Sequence, residues 1–314
     1  MRAILIVNPH ATTTTPLRRD VIVRALASDI DLEVVETRYR GHATALAAGA
    51  ASGRLDLVLT LGGDGTVNEV INGLAGSPAA AASPAADRLP ALAPIPGGNA
   101  NVFTRAVGLP SDPIDATGRI LAAISSGQTR SIGLGLADDR YFTFSAGLGL
   151  DGEVVRAVEA RRASGKKVST PLYMLTAVRH YYAGTDRRHP ALTLERPGHP
   201  PVSHLSFCIV SNTAPWTYIG RRPVNPSPQA HFDTGLDLFA LRRLRTVSTL
   251  NAIRQMMSGR DSPPSGRHVL SLHDEAQLTL RSSRPIALQV DGEYMGERQC
   301  VAFRAIPHAL RVTA

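Results

Sequence analysis

The chain is short of cysteine and of long apolar runs. Its 314 residues include only two cysteines, Cys208 and Cys300, too few for a disulfide framework or a cysteine-based metal cluster. A reducing compartment is therefore the default expectation. No apolar run approaches the ~18 residues of a spanning helix, and the N-terminal segment MRAILIVNPH lacks a signal-peptide cleavage pattern. We therefore expect a cytoplasmic protein whose membrane contact, if any, is peripheral and on the inner face.

Motifs of several common enzyme classes are also missing. Neither GxxxxGK[ST] nor GxSxG occurs, which argues against a P-loop enzyme and against a serine hydrolase. Aromatic residues make up only 5% of the chain and form no RNA-binding motif, so nucleic acid is a poor partner. A GxGxxG pattern spans residues 147–152, but no acidic residue closes a second strand about 20 residues later, as a dinucleotide fold requires.

Basic charge is concentrated in the second half of the chain. Residues 1–150 carry 12 basic and 13 acidic side chains, whereas residues 151–314 carry 22 and 13. This excess suits an anionic partner such as a phospholipid surface, and it equally suits a solvated basic surface. Much of it comes from Arg161-Arg162, Lys166-Lys167, Arg221-Arg222, and Arg242-Arg243 with Arg245.

Two patterns of secondary structure divide the chain near residue 130. Short apolar runs at 3–7, 32–35 and 55–61 alternate with helix-compatible runs at 17–30, 43–51 and 114–126, which predicts an α/β domain with a parallel sheet. Later runs are strand-like, with predicted helices at 171–182 and 247–258, and indicate a mainly antiparallel β domain. These later strands are predicted at 141–145, 191–194, 205–210, 236–241, 276–280 and 286–290. We therefore expect domains at 1–130 and 131–314, and the final run, 302–312, could join either one.

A glycine-rich turn follows the third predicted strand, in the sequence LGGDGTVNEV. Its glycines let the backbone approach a bulky group, and a helix that begins at Thr66 would present free N–H groups to an anion. Thr66 and Glu69 have the spacing of a capping box. Asp64 beside phosphates makes sense if Mg²⁺ lies between them or if the carboxylate orders the loop. The simpler alternative is that Asp64 only stabilises a tight turn.

Two segments carry a family resemblance: GGDGTVNEVINGL at 62–74 and PGGNANVFTR at 96–105. They resemble the diacylglycerol kinase catalytic-domain family, the bacterial lipid kinases related to sphingosine and ceramide kinases. The GGDGT core is shared with NAD kinases, and the continuation Asn68-Glu69 favours the lipid-kinase branch. The resemblance implies an N-terminal α/β domain like that of NAD kinases and phosphofructokinases, followed by a β-sandwich-like domain.

The resemblance also implies an ATP and Mg²⁺ site. The positions that match the family's nucleotide-binding residues are Asn8, Pro9, Thr37, Gly62, Gly63, Asp64, Gly65, Thr66, Asn68, Glu69, Gly98, Asn99 and Asn101. Two positions depart from the family pattern, because Asn99 replaces its usual threonine and Val102 its usual aspartate. The loss of the carboxylate at Val102 puts any acidic network through that position in doubt.

The segment VDGE at 290–293 carries the predicted catalytic carboxylates. By itself, Asp-Gly after a strand predicts a β-hairpin. The resemblance implies that Glu293 is the base that deprotonates the lipid hydroxyl, with Asp291 beside it and Asp64 as a third catalytic carboxylate. It further implies a structural metal site near Asp233 and Asp237, although Thr234 stands where the family has a second acidic residue.

The implied activity is that of an ATP-dependent lipid kinase. It would transfer the γ-phosphate to the hydroxyl of diacylglycerol or a similar lipid at a membrane surface, giving a phospholipid such as phosphatidic acid. The open alternatives are a kinase of long-chain bases, an NAD kinase, and a non-catalytic lipid- or nucleotide-binding protein. A homodimer also stays open.

Overall fold

The chain forms two compact units. Its structure is a computed structural model that describes residues 1–53, 55–76, 78, 88–163, 175–176, 178–184, 186 and 188–314. Unit 1 comprises residues 1–134 and 307–314, and unit 2 comprises residues 135–306. None of the helices in these described ranges is long and apolar enough to cross a membrane.

Unit 1 is built on a parallel sheet. Its strands are β1 (Arg2–Val7), β2 (Asp31–Glu36), β3 (Leu57–Gly62) and β4 (Ala91–Pro96). Their order is β2-β1-β3-β4, with every neighbouring pair parallel. β3 and β4 are buried along their whole length, because apolar residues occupy nearly every position of both strands. The last residues of the chain close this sheet, since Val312 pairs in parallel with Leu92 on β4.

Within the described part of unit 1, five helices accompany this sheet. They are α1 (Pro16–Ala27), α2 (His42–Ser52), α3 (Asp64–Ala75), α4 (Val102–Ala106) and α5 (Pro113–Ser125). α2 packs against α3, and α1 packs against α5. The close approach of α2 and α3 depends on Gly73, because a Cβ at that position would overlap the Thr44 carbonyl of α2.

Unit 2 is rich in antiparallel strands. They are β5 (Arg130–Ala137), β6 (Arg140–Phe142), β7 (Ser145–Gly149), β8 (Leu192–Arg196), β9 (His199–Leu205), β10 (Phe207–Ser211), β11 (Thr217–Ile219), β12 (Arg222–Val224), β13 (Leu236–Leu241), β14 (Val269–Glu275), β15 (Gln277–Val290) and β16 (Glu293–Val312), with β5 and β16 extending into unit 1. The main ladder runs β14-β13-β10-β7-β15-β16, while β11 and β12 form a separate ribbon. The helices that lie wholly within the described residues are α6 (Leu150–Ala163), a π-helical turn (His180–Gly184) and α7 (Thr246–Met256).

The α/β arrangement of unit 1 and the strand-rich character of unit 2 agree with the sequence prediction. The predicted strands 276–280 and 286–290 are one strand, β15, whose pairing with β16 shifts register between Arg281 and Ile286. The predicted helix 171–182 lies largely outside the described residues, and so do Lys166 and Lys167. A sandwich in unit 2 and a specifically NAD-kinase-like unit 1 stay predictions.

Candidate functional site

Unit 1 gathers the predicted nucleotide-binding turns at one edge of its sheet. Gly62 ends β3 and Gly97 follows β4, and the Gly97 amide donates to the Gly62 carbonyl at 2.7 Å. A Cβ on Gly98 would come within 2.7 Å of the Gly63 Cα, so the two turns touch backbone to backbone. Carboxyl ends of parallel strands are where α/β sheets bind ligands. The glycines therefore keep the two turns in contact at the edge where sheets of this kind bind ligands.

Asp64 links the two turns. Helix α3 begins at Asp64, with Gly63 as its N-cap, and not at Thr66 as the sequence predicted. The Asp64 carboxylate accepts a hydrogen bond of 3.1 Å from the backbone N–H of Phe103, in the first turn of α4. A negative charge here also lies at the positive end of the α3 dipole. Ordering of the loops is thus one role of Asp64, as one of the sequence hypotheses proposed.

The predicted capping box of α3 does not form. Thr66 lies inside the first turn, where its Oγ1 accepts from the Asn8 side-chain amide at 3.1 Å and so joins the end of β1 to α3. Glu69 faces α2: its carboxylate accepts from the Gly41 N–H at 2.8 Å and its carbonyl from the Thr44 hydroxyl. The sequence prediction was wrong here because Gly63 caps the helix without a side chain.

The second turn is shaped by Asn101. Its Oδ1 accepts from the Gly98 N–H and its Nδ2 donates to the Gly98 carbonyl, both at 2.8 Å. These bonds hold Asn101 in the left-handed conformation, with φ of 46°, which an asparagine tolerates better than most residues. Asn99, at the tip of the same turn, is exposed, whereas Val102 is buried in α4.

The remaining predicted nucleotide-side residues lie on the same edge or beside it. Pro9 is exposed directly after Asn8, and Thr37 follows β2, where its N–H donates to the Val7 carbonyl at 2.8 Å. Gly65 lies in the first turn of α3, and Asn68 is 1% exposed one turn later. The Asn68 side-chain oxygen and carbonyl both accept from Asn72, so this residue supports α3 from within.

In unit 2 the predicted D-G-E segment forms the tight hairpin between β15 and β16. Asp291 and Gly292 both have positive φ, of 47° and 79°. The Asp291 carboxylate is 3% exposed and accepts four hydrogen bonds. Its donors are the N–H and hydroxyl of Thr143 at 2.7 and 2.8 Å and the N–H groups of Phe144 and Ser145 at 3.0 and 3.1 Å.

This environment is typical of a carboxylate that stabilises a turn. Burial raises the pKa of Asp291, while the four donors, which favour the ionised form, oppose that rise. A carboxylate whose two oxygens are each bound by two donors holds the turn in place rather than presenting itself as a base. The catalytic role predicted for Asp291 stays a prediction, and the geometry favours a supporting one.

A second buried carboxyl supports the same turn. Asp151, in the first turn of α6, accepts a 2.6 Å hydrogen bond from the side-chain amide of Gln289, whose oxygen accepts from the Gly292 N–H at 2.8 Å. Burial raises the pKa of Asp151 to about 7, and the hydrogen bond from Gln289 offsets part of that rise. Gly147 makes room for this carboxyl, because a Cβ there would overlap it. The GxGxxG pattern thus serves packing beside the hairpin.

Glu293 is the carboxylate of the hairpin that stays partly open. It begins β16 opposite Val290, and its side chain is 22% exposed. A guanidinium nitrogen of Arg140 lies 3.9 Å from its carboxylate. The next residue is also held, since the Tyr294 N–H donates to Glu159 of α6 at 3.0 Å.

The predicted metal residues have other partners. Asp237 is 2% exposed and accepts from the His273 ring at 2.7 Å and from the Asp274 N–H at 3.1 Å. Burial raises the pKa of Asp237, and these two hydrogen bonds oppose the rise. Asp233 is exposed and pairs with His231 at 3.1 Å. Across the described residues, no group of three or more His, Cys, Asp or Glu side chains converges, so this metal site stays a prediction.

Sequence reasoning missed the supports of the hairpin: Thr143, Asp151, Gln289 and Arg140. Thr143 lies 148 residues before Asp291 and Asp151 lies 138 before Gln289, so no local pattern joins them. One signal was available. Asp151 is an acidic residue inside a glycine-rich apolar segment, and such a residue is buried only if it has a partner.

The chain is similar to proteins that are named diacylglycerol kinases. Residues 2–137 match the sequence model of the diacylglycerol kinase catalytic domain. A diacylglycerol kinase of Bacillus subtilis (strain 168) is 27% identical over 264 residues, 83% of this chain and 78% of the relative. One of Staphylococcus epidermidis (strain ATCC 12228 / FDA PCI 1200) is 34% identical over 123 residues, 39% of this chain and 35% of its own.

A solved structure shares the fold. It is a provisionally assigned diacylglycerol kinase from Bacillus anthracis str. Sterne, with a TM-score of 0.75 at 22% identity, covering 99% of this chain and 96% of that one. Residues 2–137 are thus similar to a diacylglycerol kinase catalytic domain, and the relatives support the assignment of the chain as a lipid kinase.

Proposed function

We propose that the chain transfers the γ-phosphate of ATP to the hydroxyl of diacylglycerol or a closely similar lipid, which gives phosphatidic acid or its analogue. The observation that supports ATP as the phosphoryl donor is the contact between the two glycine turns. A Cβ on Gly97 would come within 2.9 Å of Gly62, so these glycines bring the two turns together at the end of the sheet where α/β proteins bind ligands. An NAD-kinase-like mode of nucleotide binding is part of this proposal.

ATP and Mg²⁺ fit the residues at this edge. The hydroxyl of Thr14 is buried beside Gly97 and has no hydrogen-bond partner among the described residues, so a phosphate oxygen could satisfy it. N–H groups at the start of α3 and in the turns would bind the phosphates. Mg²⁺, when bound, would neutralise the charge that develops on the transferred group. Asp64 keeps both turns in position and offers a carboxylate near them.

Glu293 is the group that we assign to the acceptor hydroxyl. Asp291 and the pair Asp151–Gln289 immobilise the turn before it, so its carboxylate begins from a fixed backbone. A positioned carboxylate can take the hydroxyl proton as the oxygen attacks the γ-phosphorus, while the bond from that phosphorus to the β–γ bridging oxygen breaks and ADP leaves; the proton stays on Glu293 until solvent removes it. A guanidinium nitrogen of Arg140, 3.9 Å from the carboxylate, would help to orient Glu293.

The test is a transfer assay with labelled ATP and Mg²⁺ against diacylglycerol, a long-chain base and NAD. We expect product with diacylglycerol, and Glu293→Gln should lower kcat by roughly 10²–10⁴ while the ATP affinity stays unchanged. The matched control is Glu297→Gln, an exposed carboxylate on the same strand. Product with NAD alone, wild-type turnover in Glu293→Gln, or ATP binding without transfer to any acceptor would each contradict the proposal.

A further inference from the structure

Helix α7 in unit 2 carries large apolar side chains on its outer face. Val247, Leu250 and Ile253 are 82%, 60% and 42% exposed. Thr249, Ala252 and Met256 form the buried face instead. Since Val247 and Leu250 are three residues apart, they lie side by side on the face that points away from the core. An exposed apolar stripe of this kind is typical of an interaction surface.

The charge along α7 and the residues that lead into it has one sign. Residues 238–260 contain five arginines and no aspartate or glutamate. Arg243, Arg245 and Arg254 are exposed, and Arg254 continues the line of Val247 and Leu250. Arg267 belongs to the same cluster, because it acts on His268 together with Arg245 and Arg243. The pKa of His268 is lowered first by burial and then by the charges of these three arginines.

A second apolar segment is tied to the start of α7. The Tyr181 hydroxyl donates to the Leu244 carbonyl at 3.0 Å and lies 3.3 Å from the Thr249 hydroxyl. Tyr181 is therefore buried, while its neighbours Tyr182 and Val178 are 58% and 51% exposed. Tyrosine at the margin of an apolar and basic surface is typical of groups that lie at a membrane–water interface.

We propose that the α7 surface, defined as Val247, Leu250, Ile253, Arg243, Arg245, Arg254 and Arg267, docks on an anionic phospholipid bilayer. Its charge is complementary to acidic headgroups, and its apolar side chains can enter the boundary below them. A soluble phosphate would use the arginines and leave the apolar stripe in water, so the bilayer accounts for both. We infer that this docking brings the enzyme to its lipid substrate, and that purpose rests on the proposed function.

Sedimentation with vesicles tests the surface without any catalysis. The vesicles are phosphatidylcholine alone, or phosphatidylcholine mixed with phosphatidylglycerol, in the absence of ATP and acceptor lipid. We expect the wild-type protein to sediment with the mixed vesicles. Val247→Ser with Leu250→Ser should lower the partition coefficient by roughly tenfold or more. Arg243→Gln with Arg245→Gln should lower it by roughly thirtyfold, and this second loss should vanish at high salt.

The matched controls are on unit 1. Leu17→Ser removes an apolar side chain that is 76% exposed, and Arg119→Gln removes an exposed arginine, so both should sediment like the wild type. Circular dichroism melting of each variant excludes unfolding as a cause. The proposal is wrong if the α7 variants sediment like these controls, if phosphatidylcholine alone binds as well, or if the variants change only the oligomeric state.

A second assay separates this inference from the proposed function. Transfer to a water-soluble, short-chain diacylglycerol without vesicles should be the same in the α7 variants and the wild type, because no residue of the surface belongs to the proposed site. Normal short-chain transfer with unaltered vesicle binding would reject the surface and leave the kinase proposal intact. Vesicle binding that depends on α7, with no transfer to any acceptor, would support the surface and reject the kinase proposal.

Discussion

Replacement of Asp291 by asparagine distinguishes a role in stabilising the hairpin from a role in the reaction itself. Each Asp291 oxygen accepts two hydrogen bonds, so the amide group of asparagine would face two donors that it cannot satisfy. Each buried donor left without an acceptor costs about 1–3 kcal/mol. Removal of a buried charge returns part of this loss, which leaves a net destabilisation of about 3 kcal/mol. For a unit of this size, that lowers the melting temperature by about 6–12 °C.

The assay compares melting temperature and kcat in three variants. Asp291→Asn should lower both the melting temperature and kcat, because the turn that carries Glu293 loosens as the unit loses stability. Glu293→Gln should lower kcat and leave the melting temperature unchanged. Asp261→Asn replaces an exposed carboxylate elsewhere in unit 2 and should leave both quantities unchanged. If Asp291→Asn melts like the wild type and loses kcat as Glu293→Gln does, Asp291 acts in the reaction itself and the assignment to positioning is refuted.

Two further predictions concern the glycine turns and the buried carboxyl of α6. Gly98→Ala should weaken ATP binding by tenfold or more, because its Cβ would push against the Gly63 Cα. The control is Gly118→Ala, where a Cβ meets nothing within 4 Å and ATP should bind normally. Equal affinities of the two variants, measured by calorimetry, would contradict this prediction. The pKa of Asp151 in the folded state, about 7, lies above its ordinary 3.8, so the folded state binds this proton more tightly than the unfolded state does. The free energy of unfolding should therefore fall by a few kcal/mol as pH rises from about 4 to about 7. Asp151→Asn should flatten that part of the pH profile of melting, and a profile parallel to the wild type would show that Asp151 is not its source.

The sequence was most informative where chemistry and local structure coincide. Gly62 and Gly63 were identified because a strand, a glycine turn and a helix follow each other within a few residues. Gly98 was identified from the family resemblance, and the structure brings both turns together. The contact of Asp64 with the Phe103 N–H could not be read in the same way, since 39 residues separate them. Only the order of strands β3 and β4 in the sheet makes them neighbours.

The second unit was harder to predict for a physical reason. A short strand such as β11 or β12 is specified by its partner across the ladder rather than by its own residues. β15 was divided into two strands because polar residues interrupt its apolar pattern where the register shifts, between Arg281 and Ile286. Helix α6 was missed because charged residues occupy much of its length and obscure an apolar stripe.

The return of β16 to unit 1 has a consequence for how the protein is made. Residues 307–314 complete the parallel sheet beside β4, yet they follow all of unit 2 in the chain. During translation most of unit 1 is synthesised first, and one flank of β4 stays unpaired until some 170 intervening residues have been added. An exposed strand edge is where chains aggregate, so this interval is when a chaperone would be of most use.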